Sequence, residues 1–500
     1  MIAAPVRSFS PSPQQAAFLT ALETGDSHLL LSARAGTGKS TTCREGAWSL
    51  GRRRSLYCCF NKAIAADFQR DLPRTCRAAT MHSLGFRMLK SRSWGVELDA
   101  DGEKVDAAAR VYFPHDHQGR ERNVVAQLVS ACKNRLIPGD DLEAVDALAD
   151  ELGLEIRADA REIAVGAVEG VLTACVENPH VVDFDDMVWL PVRLGAANPS
   201  PPDVLFIDEA QDLNLCQHAL IDLINPDGRN VGVGDPWQSI YRFRGADSDS
   251  IPRLAYRLDA CNSGRGLESF PLTVTRRCPR AVVALANKIV PDLEAAPNAP
   301  DGLVETIDAE EWRLAASAGS MILCRTNAPL VRACYALWRR RRPAHIQGRD
   351  IGKGLLAFIA ARKASSVEDL LAKIDDHQAG ECERMAKRRV PNADAIRNLI
   401  DKCDCVRALA VDASSIDDIR RRVETMFADA DDPNAITLSS IHRSKGLERS
   451  HVLILRPDLI PGPWARTEED RRQERNLAYV AVTRAKQRLT FCGDLPNVFR

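Results

Sequence analysis

Ala33-Arg34-Ala35-Gly36-Thr37-Gly38-Lys39-Ser40 and Phe206-Ile207-Asp208-Glu209-Ala210-Gln211-Asp212 decide the fold between them. The first follows His28-Leu29-Leu30-Leu31, a short apolar run of the kind that forms a buried parallel strand. Glycines in the turn let backbone N–H groups converge on phosphate oxygens, and a helix opening near Lys39 would aim its positive end at them. Lys39 has the reach for β- and γ-phosphates, and Ser40 has a hydroxyl for Mg²⁺. The octet opens on Ala33, where the usual pattern has glycine. The second stretch continues another apolar run, Val204-Leu205-Phe206-Ile207, and ends it in two adjacent carboxylates. In open α/β sheets, ligands sit at the carboxyl ends of the strands. Asp208 would hold Mg²⁺, and Glu209 would orient and deprotonate a hydrolytic water. A glycine-rich turn, or an acid-rich helix start, accounts for either stretch alone. Their combination predicts an α/β phosphate-loop fold with an ATP-hydrolysing site.

Longer strings extend this. Asp208 to Asp212, followed by Val233-Gly234-Asp235-Pro236-Trp237-Gln238-Ser239-Ile240-Tyr241-Arg242-Phe243-Arg244-Gly245-Ala246, resembles the UvrD/Rep branch of superfamily 1 DNA helicases. Thr80-Met81-His82-Ser83-Leu84 is similar to that family's single-strand-contacting segment. Asp183-Phe184-Asp185-Asp186-Met187 is similar to its short acidic motif. Ser440 to Glu448 resembles motif V and Glu474 to Ala485 resembles motif VI. The resemblance covers nearly the whole chain. It implies two RecA-like parallel-sheet motor domains, each carrying a mainly helical insertion. Residues 1–83 and 183–270 would form domain 1A, around insertion 1B at 84–182. Residues 271–350 and 434–500 would form domain 2A, around a reduced insertion 2B at 351–433.

The same resemblance implies roles. Gln14 or Gln15 would read the adenine edge, the register being open between them. Ala35, Gly36, Thr37, Gly38, Lys39, Ser40 and Thr41 would cradle the phosphates, with Asp208 and Glu448 completing the nucleotide contacts. Gln238 would sense the γ-phosphate, and Arg277 and Arg484 would serve as arginine fingers beside Lys39 and the base Glu209. Arg276 stands where the family usually has an adenine-stacking tyrosine; a guanidinium plane can stack as well. Phe60, Asn61, Thr80, His82, Tyr241, Phe243, Arg244 and His442 would line a nucleic-acid track on which bases stack without strict sequence preference. The implied cofactors are ATP and Mg²⁺, and the implied partners are single-stranded DNA and single-strand/duplex junctions. The implied activity is 3′-to-5′ movement with separation of the duplex. A translocase that mainly strips proteins from DNA shares every motif. An ATP-gated DNA-binding subunit of a nuclease or defence complex is the reading from another class.

Composition is consistent with this. Five hundred residues allow roughly three or four domains, or two motor cores with insertions. A net charge of −1 confines any DNA-binding surface to a local track. Arg52-Arg53-Arg54, Arg339 to Arg342 and Lys387-Arg388-Arg389 read as solvated faces before specific contacts. None of the fifteen cysteines forms a Cys-x-x-Cys pair, which speaks against a zinc or iron–sulfur site and for reduced thiols in a cytoplasmic protein. Met1 to Pro13 lacks the apolar core of a signal peptide, and no segment suits a membrane span. Helical spacing marks the insertions, at Val124, Val125, Leu128 and Val129 and again at Ile163, Val165, Val168 and Leu172. Ser365-x-x-Glu368 and Ser415-x-x-Asp418 predict capped helix starts, and Pro391 predicts a break.

Overall fold

Strands buried on both faces read as continuous apolar runs, and covered parallel sheets require such strands. The first sheet has six strands, in the order Cys76–Thr80, Ser55–Cys59, Val204–Ile207, Arg229–Gly234, His28–Ala33 and Leu267–Leu272, every pair parallel; the four central ones are buried almost throughout and the two edge strands are partly exposed. In this computed structural model, residues 9–92, 95–117, 119–154, 156–240, 249–260, 264–386, 393–428, 432 and 434–500 are described. The chain divides into two units, 1–148 with 155–273, and 149–154 with 274–500. Leu272 pairs with Ala33 in the first sheet. The first unit therefore runs to Thr273, and the expected boundary at 270 falls inside a strand.

Parallel strands all end on one edge, and here that edge collects the predicted chemistry. Leu31 pairs with Val233, and Phe206 with Val231. The phosphate loop, the Asp208-Glu209 pair and Asp235 therefore leave neighbouring strands side by side. Behind them, Phe18, Leu29, Leu31, Tyr57, Phe206, Val231 and Val233 form a continuous core.

Helices Glu103–Arg110, Arg120–Arg135, Leu142–Glu151 and Arg161–Glu177 lie between the strands Cys76–Thr80 and Val204–Ile207. Val124, Val125, Leu128 and Val129 are buried along one face of their helix, as the spacing predicts. Val165, Val168 and Leu172 do the same, but Ile163 is 47% exposed and falls outside the stripe.

The second sheet also has six parallel strands, ordered Leu303–Ile307, Ala485–Cys492, Arg449–Leu455, Met321–Cys324, Ile436–Ser440 and Ala344–Ile346. Between Ala344–Ile346 and Ile436–Ser440 come four helices, Arg349–Ala360, Val367–Ala386, Ala393–Ala410 and Ile416–Met426. Their apolar residues do not form a separate core. Leu355, Ile374, Val406, Leu409 and Val423 share one buried cluster with the sheet residues Ile322, Ile346, Ile436 and Leu453. Asp401 fastens the third of these helices, accepting from the backbone amides of Asn327 (2.9 Å) and Ala328 (2.8 Å), the start of helix Ala328–Arg339.

Ser415 caps its helix, as predicted, by accepting from the Asp418 amide. The other cap is one residue out of register. Ser366 accepts from the Asp369 amide, and the Asp369 carboxylate returns to the Ser365 amide, so Ser365 and Glu368 are not the pair. Pro391 lies outside the described residues. Among the described residues, no helix is long and apolar enough to cross a membrane.

Candidate active site

The phosphate loop needs glycine at two positions. Gly36 has φ of 73° and Gly38 of 84°, left-handed values that side chains resist. Thr37 closes the turn, its hydroxyl donating to the Arg34 carbonyl at 2.8 Å. Helix Lys39–Ser49 then begins with no side-chain cap, leaving its first amides to an anion.

The two glutamines near the N-terminus separate here. Gln15 is buried against the loop, donating to Thr42 Oγ1 at 2.9 Å and to the Thr37 carbonyl at 3.5 Å. Gln14 instead grips Thr273, donating to its hydroxyl (2.8 Å) and accepting from its amide (2.9 Å).

Lys39 forms an ion pair with Glu209 and lies 3.4 Å from Asp208 Oδ1. Burial alone would push the ammonium down; the two carboxylates overcome it and hold Lys39 above the usual lysine range. Burial drives Asp208 up, opposed chiefly by Lys39. Glu209 has a left-handed backbone, φ 50° and ψ 40°, and its amide donates to Asp208 Oδ1 at 2.9 Å. The chain thus turns sharply at the strand end and sets both carboxylates towards Lys39. Ser40 and Asp208 offer a hydroxyl and a carboxylate, hard oxygen donors of the kind Mg²⁺ takes, so the residues present fit that ion. Thr41 is exposed on the same first turn.

Three residues to which the motifs assigned no role complete this edge. Tyr57 is fully buried and stacked against Phe68 (4.5 Å between centroids) and Phe206 (5.7 Å), beneath the strand end that carries Asp208. Asp235 accepts from Gln238 Nε2 at 2.6 Å and holds that side chain in place. Gln211 lies between Glu209 and Asp235. Asp235 and Gln211 were visible within the quoted strings, since both follow buried strands; Tyr57 inside an apolar run was not.

Four of the proposed track residues, Phe60, Asn61, Thr80 and His82, lie at the ends of the two strands beyond Val204–Ile207. Phe60 is 46% exposed, which removes it from the core. Asn61 caps helix Lys62–Asp71, accepting from the Ile64 amide at 2.9 Å. Thr80 is buried, and its hydroxyl caps helix Met81–Lys90 by accepting from the Ser83 amide at 3.2 Å, so it serves the helix start first. His82 is half-buried, with burial pushing its imidazole down. A cavity of about 180 Å³ is lined by Asp208, Glu209 and Asp212 together with Phe60 and His82. Among the thiols around it, Cys59 is pushed up to about 12 by burial and stays protonated. Tyr241, Phe243 and Arg244 lie outside the described residues.

The acidic motif has a packing role. Asp186, fully buried, pairs with Lys104 and Lys133, each at 2.8 Å, and Lys133 also reaches Asp183 at 2.8 Å. Asn134 donates to Asp185 at 3.0 Å and accepts from Asn214 Nδ2 at 2.6 Å. Helix Arg120–Arg135 is thereby pinned to the segment that follows Asp208 to Asp212. Single members of the basic clusters also serve packing: Arg53 donates to the Leu22 and Glu23 carbonyls, Arg54 to Pro201, and Arg342 to Arg313 and Ala316, while Arg52, Arg54 and Arg339 to Arg341 are exposed, as expected of solvated faces. Lys387-Arg388-Arg389 lies outside the described residues.

In the second unit, Glu448 is shared by Arg277 and Lys486, each at 2.5 Å. Burial raises its carboxyl, but Lys486 and Arg277 outweigh this and hold it low. Arg484 is 1% exposed, its guanidinium donating to the Val480 carbonyl at 2.9 Å and to Thr483 Oγ1 at 3.1 Å. Burial, with Arg277 nearby, pushes it down to about 10, so it remains charged at neutral pH. Two neighbouring guanidinium groups, one buried, favour an anion. Arg276 is exposed beside them, and His442 is half-buried in the turn after strand Ile436–Ser440.

Residues 13–258 match the UvrD/REP helicase N-terminal domain, and residues 366–493 match the UvrD-like helicase C-terminal domain. The chain belongs to the UvrD/Rep helicase family. Among relatives within that family, it is 25% identical to F-box DNA helicase protein 1 of Schizosaccharomyces pombe, over 94% of this chain and 56% of that protein. It is 24% identical to F-box DNA helicase 1 of Gallus gallus, over 93% of this chain and 47% of that protein. ATP-dependent DNA helicase PcrA of Leuconostoc citreum is 27% identical over 46% of this chain and 33% of that protein. The chain spans about half the length of the two F-box relatives.

Proposed function

We propose that this chain is an ATP-driven motor that moves along single-stranded DNA, 3′ to 5′, and separates duplex at single-strand/duplex junctions. One observation carries the reading: Asp208 and Glu209, the two carboxylates that hold Lys39, line the same cavity as Phe60 and His82. An ATP-cleaving edge and a candidate base-stacking ring then leave neighbouring strands side by side, which is what coupling hydrolysis to DNA grip requires.

In this reading ATP is the substrate. Lys39 leaves Glu209 to meet the phosphates, which frees Glu209 for water. The water oxygen bonds to the γ-phosphorus as the bond to the bridging oxygen breaks, giving ADP and phosphate, and the water proton passes to Glu209. Ser40 and Asp208 would hold Mg²⁺, which supplies charge neutralisation on the phosphates. Gln238, held by Asp235, senses the γ-phosphate. Arg277 and Arg484 balance charge on the transferring phosphoryl group. Phe60 offers a ring face for a base, a sequence-tolerant contact.

Support for the enzymatic reading comes from the full complement of Lys39, Glu209, Gln238, Arg277 and Arg484, which a nucleotide-gated binding subunit would not need. The test is steady-state ATP hydrolysis by the purified chain with and without single-stranded DNA, followed by unwinding of duplexes tailed at either end. Strong stimulation by DNA, with unwinding of 3′-tailed substrates, is expected. Turnover insensitive to DNA, or none, would overturn it. DNA-stimulated turnover without unwinding would select the protein-stripping translocase.

A further inference from the structure

Gln211 is 1% exposed, and both ends of its side-chain amide are in use. The Asp235 backbone amide, a donor only, points at Oε1 at 3.0 Å. That contact fixes the orientation of the amide, since the atom facing an N–H must be the oxygen. Nε2 is therefore turned the other way, where it donates to the Glu209 carboxylate and lies 3.4 Å from Asp212 Oδ2. The Gln211 carbonyl in turn accepts from Ser239 Oγ at 3.2 Å, the residue after Gln238. The space is closed as well: a Cβ on Gly234 would lie 2.5 Å from Gln211 Oε1, so glycine at 234 is what admits the side chain. The series is continuous, from Glu209 through Gln211 and Asp235 to Gln238, whose Nε2 donates to the other end of Asp235 at 2.6 Å.

We infer that Gln211 is a positioning residue that aims the Glu209 carboxylate and ties it to the Gln238 sensor. The inference rests on the ATP-hydrolysing reading of this edge. An amide N–H on one carboxylate oxygen fixes which lone pairs remain for water. A movement of Gln238 on meeting a phosphate would pull on Asp235 and, through the Asp235 amide, on the only donor that Gln211 offers Glu209. The base would then be aligned when the sensor is engaged.

Gln211→Glu keeps the shape and the acceptor for Asp235 but puts a like charge against Glu209. Gln211→Met removes both polar contacts with similar volume. The experiment measures kcat and KM for ATP at neutral pH for the intact chain and both variants, with saturating single-stranded DNA and thermal melting as the folding control. In Gln211→Glu kcat should fall by about tenfold with KM little changed. Gln211→Met should lower kcat in the same way by less. A role in packing alone would lower kcat only in step with melting temperature. A folded variant whose kcat stays within about twofold of the parent would overturn the inference. Absence of turnover in the unmodified chain would overturn the parent reading, and this inference with it.

Discussion

Glu209→Gln removes one of the two negative charges that hold Lys39 and leaves the side-chain shape intact. Opposite unit charges about 4 Å apart attract by about 4 kcal/mol at an effective dielectric of about 20. The two side chains are 17% and 22% exposed, and Lys39 keeps Asp208 at 3.4 Å. Screening and the desolvation of both groups reduce the net contribution to about 1–2 kcal/mol. ATP must displace this pair before Lys39 can meet its phosphates, so the variant should bind ATP about tenfold more tightly, a change of about 1.4 kcal/mol. The same substitution removes the acceptor for the water proton and should lower turnover by about 10²- to 10⁴-fold. Equilibrium titration with a fluorescent ATP analogue gives the first quantity, and phosphate release with saturating single-stranded DNA gives the second. Turnover within tenfold of the parent would show that another group takes the proton. Unchanged or weaker nucleotide affinity would show that the Lys39–Glu209 pair does not compete with ATP.

Three further outcomes are expected. Arg325 and Glu474 form a buried bidentate pair at 2.7–3.2 Å, and Glu474 also accepts from the Gly462 amide at 2.8 Å. Arg325→Met should therefore cost about 3–5 kcal/mol by stranding a buried carboxylate, and adding Glu474→Gln should recover part of it in denaturant melts. Phe60→Ala should leave DNA-independent hydrolysis intact while weakening single-strand binding by about 1–3 kcal/mol in fluorescence anisotropy; full retention of affinity would remove Phe60 from the track. His28 is buried, accepts from the Asn230 amide at its Nδ1 (3.0 Å), and is held below the usual histidine value first by burial. Its folded form is the neutral one, so its contribution is complete above about pH 6.5 and is lost as pH falls through the lower folded value. His28→Gln, which keeps an acceptor, should flatten the fall in melting temperature between about pH 7 and pH 5.

What could be read from residues alone follows a physical division. The strands were legible because parallel sheets demand uninterrupted apolar runs, and the carboxylates were legible because they interrupt such a run at its end. The second half of the site was harder. Gln15 and Gln14 are adjacent and chemically identical; only tertiary contacts show that one braces the phosphate loop and the other holds Thr273. Arg53, Arg54 and Arg342 carry the composition of a DNA-binding face, yet their guanidinium groups go to main-chain carbonyls, a destination that no local pattern encodes. Asp186 was legible only as one acid of a short motif, because its partners, Lys104 and Lys133, are far away in sequence. The misplaced cap at Ser365 is a register error of one residue, which two adjacent serines and two adjacent acids make unavoidable without coordinates.

The shared core of the second unit bears on how this architecture can be altered. Helices Arg349–Ala360 to Ile416–Met426 contribute Leu355, Ile374, Val406 and Val423 to the same buried cluster as the central strands. Excising them would leave Leu330, Val331 and Leu337 of helix Ala328–Arg339 facing water and would remove Asp401 from the start of that helix. The segment is not a cassette. Exchanging it for a larger counterpart means redesigning the floor on which it stands, the sheet face and helix Ala328–Arg339 included.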